Sequence, residues 1–231
     1  SSDLDVMSAD YAPTEPMDVE IWADVVCPWC YIGKARFDRA LEKFAHRDNV
    51  RVTLRSFELD PTPRATEKGD TAQRLADKYG VSADEARRMV SNVRDVAVAD
   101  GLAMADGEQF HGNTRDAHRL LHWAAEQGAG PEMSDALYAA HFAHASSVFD
   151  ADSLCAIAAS VGLDPGEAKA VLESGRFEAE VADDECTAAQ LGISGVPFFV
   201  FDRRLGVSGA QPMEVLVSAL DQAWAERGAS D

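Results

Sequence analysis

VEIWADVVCPWCYIGKARFDRALEKFA, residues 19 to 45, carries the reading of the chain. Val19, Ile21, Trp22, Val25 and Val26 lie in a run with little polar interruption, the pattern of a central strand covered on both faces. Beyond the two cysteines, Phe37, Ala40, Leu41 and Phe44 recur at i, i+3, i+4, i+7, one apolar helical stripe. Lys34, Arg36, Arg39 and Lys43 are among the positions this leaves to solvent. Val50, Val52 and Leu54 then alternate with Arg51, Thr53 and Arg55, as in a half-buried strand. Strand, helix, strand is a βαβ unit, so the two strands are expected to run parallel with a right-handed crossover.

The cysteine pair sits at the joint between strand and helix. Pro28 at the first helical position sacrifices no hydrogen bond, because that N–H has no helical partner. Cys27 then stands at the helix N-terminus, where free N–H groups and the macrodipole favour a thiolate. Cys30 lies about one turn on, within reach of Cys27 but turned inward. One accessible, acidified sulfur and one shielded sulfur are what an attacking and a resolving thiol need in disulfide exchange. A zinc site is the alternative, but it asks for a second close pair, and Cys155 and Cys186 are far apart in helix-like contexts. His118 with His122, and His141 with His144, have helical spacing and read as ordinary buried or surface imidazoles, so no metal is expected. A purely structural disulfide is weaker still, since a two-residue loop constrains the unfolded chain very little.

GVPFF, residues 195 to 199, is the second half of the candidate site. A proline opening a buried strand lacks a donor and is tolerated there for a reason such as a cis bond in a tight turn, a trans proline in an ordinary loop being the alternative. If PFFVF pairs antiparallel beside the first strand, Pro197 faces Cys27. The proline withholds a main-chain donor and keeps a metal ligand out, while the backbone of Val196 is free for an extended substrate peptide.

Between these halves, PTPRATEKGD (61 to 70) breaks the pattern and residues 70 to 192 read as helices. Ser82, Asn113, Asp152 and Asp164 are candidate N-caps, and Gly80, Gly101, Gly128, Gly162 and Gly175 candidate stops. After it PFFVF and LGVSG read as two strands, and Met213, Leu216, Val217, Leu220 and Trp224 as the stripe of a closing helix. The expected organisation is a disordered tail (1–17), a discontinuous α/β unit (18–62 and 190–228) and an all-helical insertion (63–189).

With 231 residues and 46% hydrophobic composition the chain can bury a substantial core without help from its four cysteines. Any disulfide is therefore expected to be chemical in purpose. A formal charge of −19 and a pI near 4.6 repel nucleic acid and anionic membrane surfaces. No run of about 18 apolar residues and no basic, apolar leader is present, so neither a membrane span nor a signal peptide is expected. A cytoplasmic location is the expectation, with prior removal of an export segment left open by the start at Ser1.

CPWCYIG after a strand, a long helical insertion, then GVPFFVF followed by SGAQP resemble the DsbA-like thioredoxin-fold oxidoreductases, and FELDP (57–61) and GNTRDAHRL (112–120) look like their FrnE-like branch. The resemblance covers about residues 18 to 227. It implies a thioredoxin fold (βαβ, then ββα) interrupted by the helical insertion, with Cys27 as nucleophile, Cys30 as resolving thiol and Pro197 as a cis-proline. Pro28, Trp29, Val196 and Pro197 would contact substrate, and Asp24 is a candidate acceptor for the Cys30 proton. Trp29 cannot become a cation, so a potential between those of thioredoxin and DsbA, roughly −270 to −120 mV, is expected.

The implied activity is thiol-disulfide exchange on a disulfide- or thiol-containing protein or small molecule. No tightly bound cofactor is expected, though glutathione or another small thiol could serve as co-substrate, and the assembly would be a monomer or homodimer. A glutathione-dependent transferase or isomerase of the kappa class or the 2-hydroxychromene-2-carboxylate isomerase type shares the architecture but uses serine where Cys27 stands. A non-redox peptide-binding or chaperone module is the third reading. Cys155 and Cys186 read as small buried hydrophobes.

Overall fold

The computed structural model of the protein describes residues 15–62 and 64–228. Residues 1–14 of the expected tail lie outside them, whereas Met17, also assigned to that tail, opens the first strand fully buried. β1 (Met17–Ala23), α1 (Pro28–Lys43) and β2 (Val50–Ser56) form the expected unit, β1 and β2 running parallel with Ile21 beside Leu54. β5 (Phe198–Phe201), β6 (Leu205–Ser208) and α9 (Met213–Gly228) complete it. The sheet order is β2-β1-β5-β6, with β5 antiparallel to both its neighbours and Trp22 opposite Phe198.

Alternation along β1 and β5 explains the two covered faces. Val19, Ile21, Phe199 and Phe201 point to one side, where Phe37 of α1 stacks on Phe199 at 5.5 Å and Leu216 and Leu220 of α9 close the layer. Trp22 and Val200 point to the other side and pack with Ala188 and Ile193 from the stretch that leads into β5. The Trp22 indole N–H donates to the Asp184 carbonyl at 3.0 Å, which satisfies its polar end in a buried setting. Glu20 on this face is buried too. Bonds from Arg203 and Arg55 outweigh its burial and hold its carboxyl below the usual value.

The segment between the two halves contains α2 (Thr71–Tyr79), α3 (Ala83–Ala99), α4 (Arg115–Glu126), α5 (Gly130–Tyr138), a π-helical turn (Ala139–Ala143), α6 (Ala151–Ser160), α7 (Pro165–Ser174) and α8 (Glu178–Gln190). It is not wholly helical, because β3 (Glu67–Gly69) and β4 (Gln109–His111) pair antiparallel. Leu120, Trp123, Met133, Leu137, Leu154 and Val171 make its core, into which Val25 from the β1–α1 connection inserts. Ser82 and Asp164 cap their helices as expected. The cap before α6 is Asp150, not Asp152.

Two surface assignments fail for tertiary reasons. Lys34 is only 7% exposed, because Asp135 from α5 joins its own-helix partner Asp38 in pairing with it, both at 2.7 Å. Arg36 likewise reaches Asp100 and the Ala210 carbonyl at 2.7 Å. Val52 is 37% exposed, since β2 is a sheet edge. Trp22 and Trp123 are core, while Trp224 is half-buried against His46.

His141 of the π-helical turn is buried against Phe142 and Phe149. Burial, then nearby His111, hold its imidazole down from 6.5 to about 4, against the opposing pull of Asp24. The unfolded chain therefore takes up this proton first, so the stability His141 contributes is present above pH 6.5 and is lost as pH falls towards 4. At about 1.4 kcal/mol per unit the loss is about 3 kcal/mol. Urea unfolding of His141→Leu across that window should show a pH dependence flatter than the native protein's by this amount, and parallel curves would show that the imidazole is not held neutral.

Candidate active site

β1 ends at Ala23, and the chain turns through Asp24, Val25 and Val26 before α1 begins. Cys27 N–H donates to the Asp24 carbonyl at 3.1 Å, which tightens that turn. Cys27 is the N-cap residue of α1 with extended φ and ψ, and Pro28 occupies the first turn. The Cys27 carbonyl in turn accepts from the N–H groups of Cys30 and Tyr31, at 3.0 and 3.1 Å. Both thiols are free.

The antiparallel pairing of β5 with β1 brings the start of β5 to this end of the sheet. The Cys27 thiol donates to the Val196 carbonyl with sulfur and oxygen 3.7 Å apart, and the Val196–Pro197 peptide is cis. That carbonyl is one of the main-chain groups expected to be open to a peptide. Gly209 N–H holds the Pro197 carbonyl at 2.8 Å from the β6 side. Gly33, one turn after Cys30, is why the contact is this close, for a Cβ there would stand 2.8 Å from Cγ of Pro197. Sequence reading passed over this glycine, because a single glycine inside a helical pattern is tolerated and does not by itself signal a close approach.

Accessibility departs from expectation. Cys27, expected to present an open sulfur, is only 4% exposed, against 1% for Cys30. The two sulfurs share a cluster with Tyr138 and Phe142 from the insertion, and Trp29, Tyr31, Met104 and Val196 pack against it. Tyr31 stacks on Phe142 at 5.3 Å and on Tyr138 at 5.5 Å. Pro28 and Trp29 stay half-buried at the edge, and Pro197 is buried. Burial, with the adjacent Cys27 sulfur and the Asp24 charge adding to it, pushes the Cys30 thiol well above its ordinary range, and a main-chain bond at Asp24 only partly opposes this.

Asp24 is 1% exposed, and its surroundings explain two of the stretches singled out in the sequence. Leu59 N–H, from FELDP, donates to Asp24 Oδ2 at 2.8 Å. His118, from GNTRDAHRL, brings Nε2 to 3.4 Å from Oδ1. Glu58 then joins the two stretches, accepting from Asn113 at 2.8 Å and Arg115 at 2.6 Å. His122 faces Asp184 and Ser56, away from His118's partner. Cys155 is half-buried and Cys186 exposed, so the second is no core residue.

A Bacillus subtilis (strain 168) protein, YwbO, is 26% identical over 205 residues, 87% of this chain and 94% of its own. A structure named as a probable DsbA oxidoreductase from Streptomyces coelicolor is 50% identical, with a TM-score of 0.87 over 91% of each chain. The cytosolic disulfide reductase DsbM of Pseudomonas aeruginosa, solved with glutathione, is similar in fold alone: 17% identity, TM-score 0.59, over 92% of this chain and 98% of that one. The model of the DSBA-like thioredoxin domain matches residues 18–221. With that match spanning both halves of the sheet and everything between them, the chain belongs to the DSBA-like thioredoxin domain family.

Proposed function

We propose that the protein is a thiol-disulfide oxidoreductase working through Cys27 and Cys30. The observation that carries this is the pair of free thiols at the start of α1, the first beside the Val196 carbonyl and the second sealed beneath it. The Cys27 thiolate attacks one sulfur of a substrate disulfide, forming a mixed disulfide and expelling the other sulfur as a thiolate. Cys30 then loses its proton and attacks Cys27. The Cys27–Cys30 bond forms, the mixed disulfide breaks, and two electrons have passed to two substrate thiols. Run backwards, the same steps oxidise a dithiol.

The thiol of Cys30 does not ionise unaided at neutral pH, given the burial that raises it. Asp24, whose carboxylate charge bears on Cys30, is the group we assign to accept that proton. Pro28, Trp29, Val196 and Pro197 are the assigned contacts for substrate. The FrnE-like branch is the finer family reading, supported by FELDP and GNTRDAHRL meeting at Asp24. Sparse cysteines without a disulfide scaffold support a cytoplasmic setting. Residues 63–189 are the proposed inserted subdomain. Glutathione or another small thiol is a candidate co-substrate, in keeping with the ligand of DsbM.

Reduction of insulin and of bis(2-hydroxyethyl) disulfide should fall to the uncatalysed rate in both Cys27→Ser and Cys30→Ser. Cys30→Ser alone should accumulate a mixed disulfide on Cys27, seen as an adduct by mass spectrometry. Turnover surviving Cys27→Ser sinks the assignment, and glutathione-dependent isomerisation surviving Cys30→Ser would favour the transferase or isomerase reading. Gly33→Ala tests the contact with Pro197. The new methyl cannot fit without moving the proline ring, so we expect a stability loss of about 1–3 kcal/mol in urea together with slower exchange, typical of overpacking. Unchanged stability and rate would mean that the Pro197 turn is free to move.

A further inference from the structure

The attacking sulfur of an exchange enzyme must be met in line by a disulfide, yet Cys27 is nearly as buried as the thiol that resolves it. The cover has two parts of different construction. Tyr138 and Phe142 are themselves buried, are stacked with Tyr31, and belong to α5 and the π-helical turn. Met104 is half-buried and lies on the connection between α3 and β4, a strap without regular secondary structure.

The strap's start is held by Arg36 and Arg39 on Asp100 and by Leu102 N–H on the Ala97 carbonyl, and around Met104 the bonds are fewer. Ala105 N–H donates to the Phe142 carbonyl at 2.6 Å, Arg94 donates to the Ala105 carbonyl at 2.9 Å, and Arg94 pairs with the exposed Asp106. Gly101 and Gly107, both with positive φ, bracket it, so its ends have backbone conformations that other residues rarely adopt. Displacing Met104 gives up the Ala105–Phe142 main-chain bond and the Arg94 contacts, whereas displacing Phe142 or Tyr138 disrupts the stacked, buried packing around Tyr31.

We infer that Met104 and its strap determine specificity, admitting disulfides of low-molecular-weight thiols to Cys27 and holding back disulfides set in folded proteins. The inference rests on the dithiol reading above. A small disulfide needs room for its sulfurs and a few carbons beside Trp29 and Val196. A disulfide in a folded protein brings its backbone with it, and the Met104 side chain and strap occupy that space. The strap must open first, so the apparent rate on such substrates is reduced by the fraction of open molecules.

The test is single turnover of the pre-reduced protein, in which each molecule spends its two thiols on one disulfide and no external reductant enters. Oxidised glutathione and natively folded, disulfide-bonded lysozyme are the two probes. The native protein should react faster with oxidised glutathione, and Met104→Ala should raise the protein-to-small rate ratio by at least ~10-fold. Arg94→Ala releases the strap while leaving the sulfur environment intact. It should raise the same ratio, with the oxidised glutathione rate within about twofold of native.

Circular dichroism melts show that each variant is folded before its rates are read, and Arg94→Ala carries the test if Met104→Ala is not. An unchanged ratio in the folded variants overturns the inference while leaving the dithiol chemistry in place. Absence of reaction with either probe in the native protein overturns the dithiol reading itself, so the two failures are separable.

Discussion

The closeness of α1 to the turn before β5 is the constraint from which the rest of the site follows. Position 33 carries no side chain, so Pro197 lies against α1, and this draws the Val196 carbonyl to the Cys27 sulfur. The sheet order makes the approach possible, because β1 and β5 are adjacent and antiparallel, and the end of one is the start of the other. A helix that begins where its strand stops has unpaired N–H groups at that junction, and the chain places Cys27 there.

The insertion then supplies what the sheet cannot. Asp24 sits in the turn after β1, where a buried carboxylate is costly unless paired. Besides Val26 N–H within the turn, its oxygens are met from outside it, by Leu59 N–H just past β2 and by the close approach of His118 on α4. The buried Glu58, held by Asn113 and Arg115, ties those two suppliers together. Two short sequence stretches without chemistry of their own thus position one carboxylate beside Cys30.

Much of this was legible in the chain because short-range rules govern it. The period of the apolar residues gave β1, α1 and α9, the proline placed the start of α1, and antiparallel pairing of PFFVF beside β1 brings the Val196–Pro197 turn to the Cys27 end of the sheet, where the Val196 carbonyl meets the sulfur. What escaped depends on partners distant in sequence. Lys34 looks like a solvent residue until Asp135 of α5 lands on it, and Val52 looks half-buried until β2 proves to be an edge. Strands of three residues, as in β3 and β4, are too short for alternation to register. The open sulfur expected at Cys27 failed for the same reason, since Tyr138, Phe142 and Met104 lie more than seventy positions away in the chain.

The inserted segment and the sheet are consequently one chemical unit. Trp22 depends on the Asp184 carbonyl of α8 for its indole N–H, and Ser56 N–H on the Asp184 carboxylate. The same carboxylate pairs with Arg55 at 2.9 Å and His122 at 3.1 Å, so a single residue of α8, through its carbonyl and its side chain, satisfies groups on two strands and a helix. Removing the insertion would leave those buried groups without partners, a desolvation cost that grows with each one. It would also uncover Cys30, whose raised thiol range is first of all a product of burial. The different surroundings of Cys27 and Cys30 are therefore set as much by the helices folded over the pair as by the strand and helix that carry it.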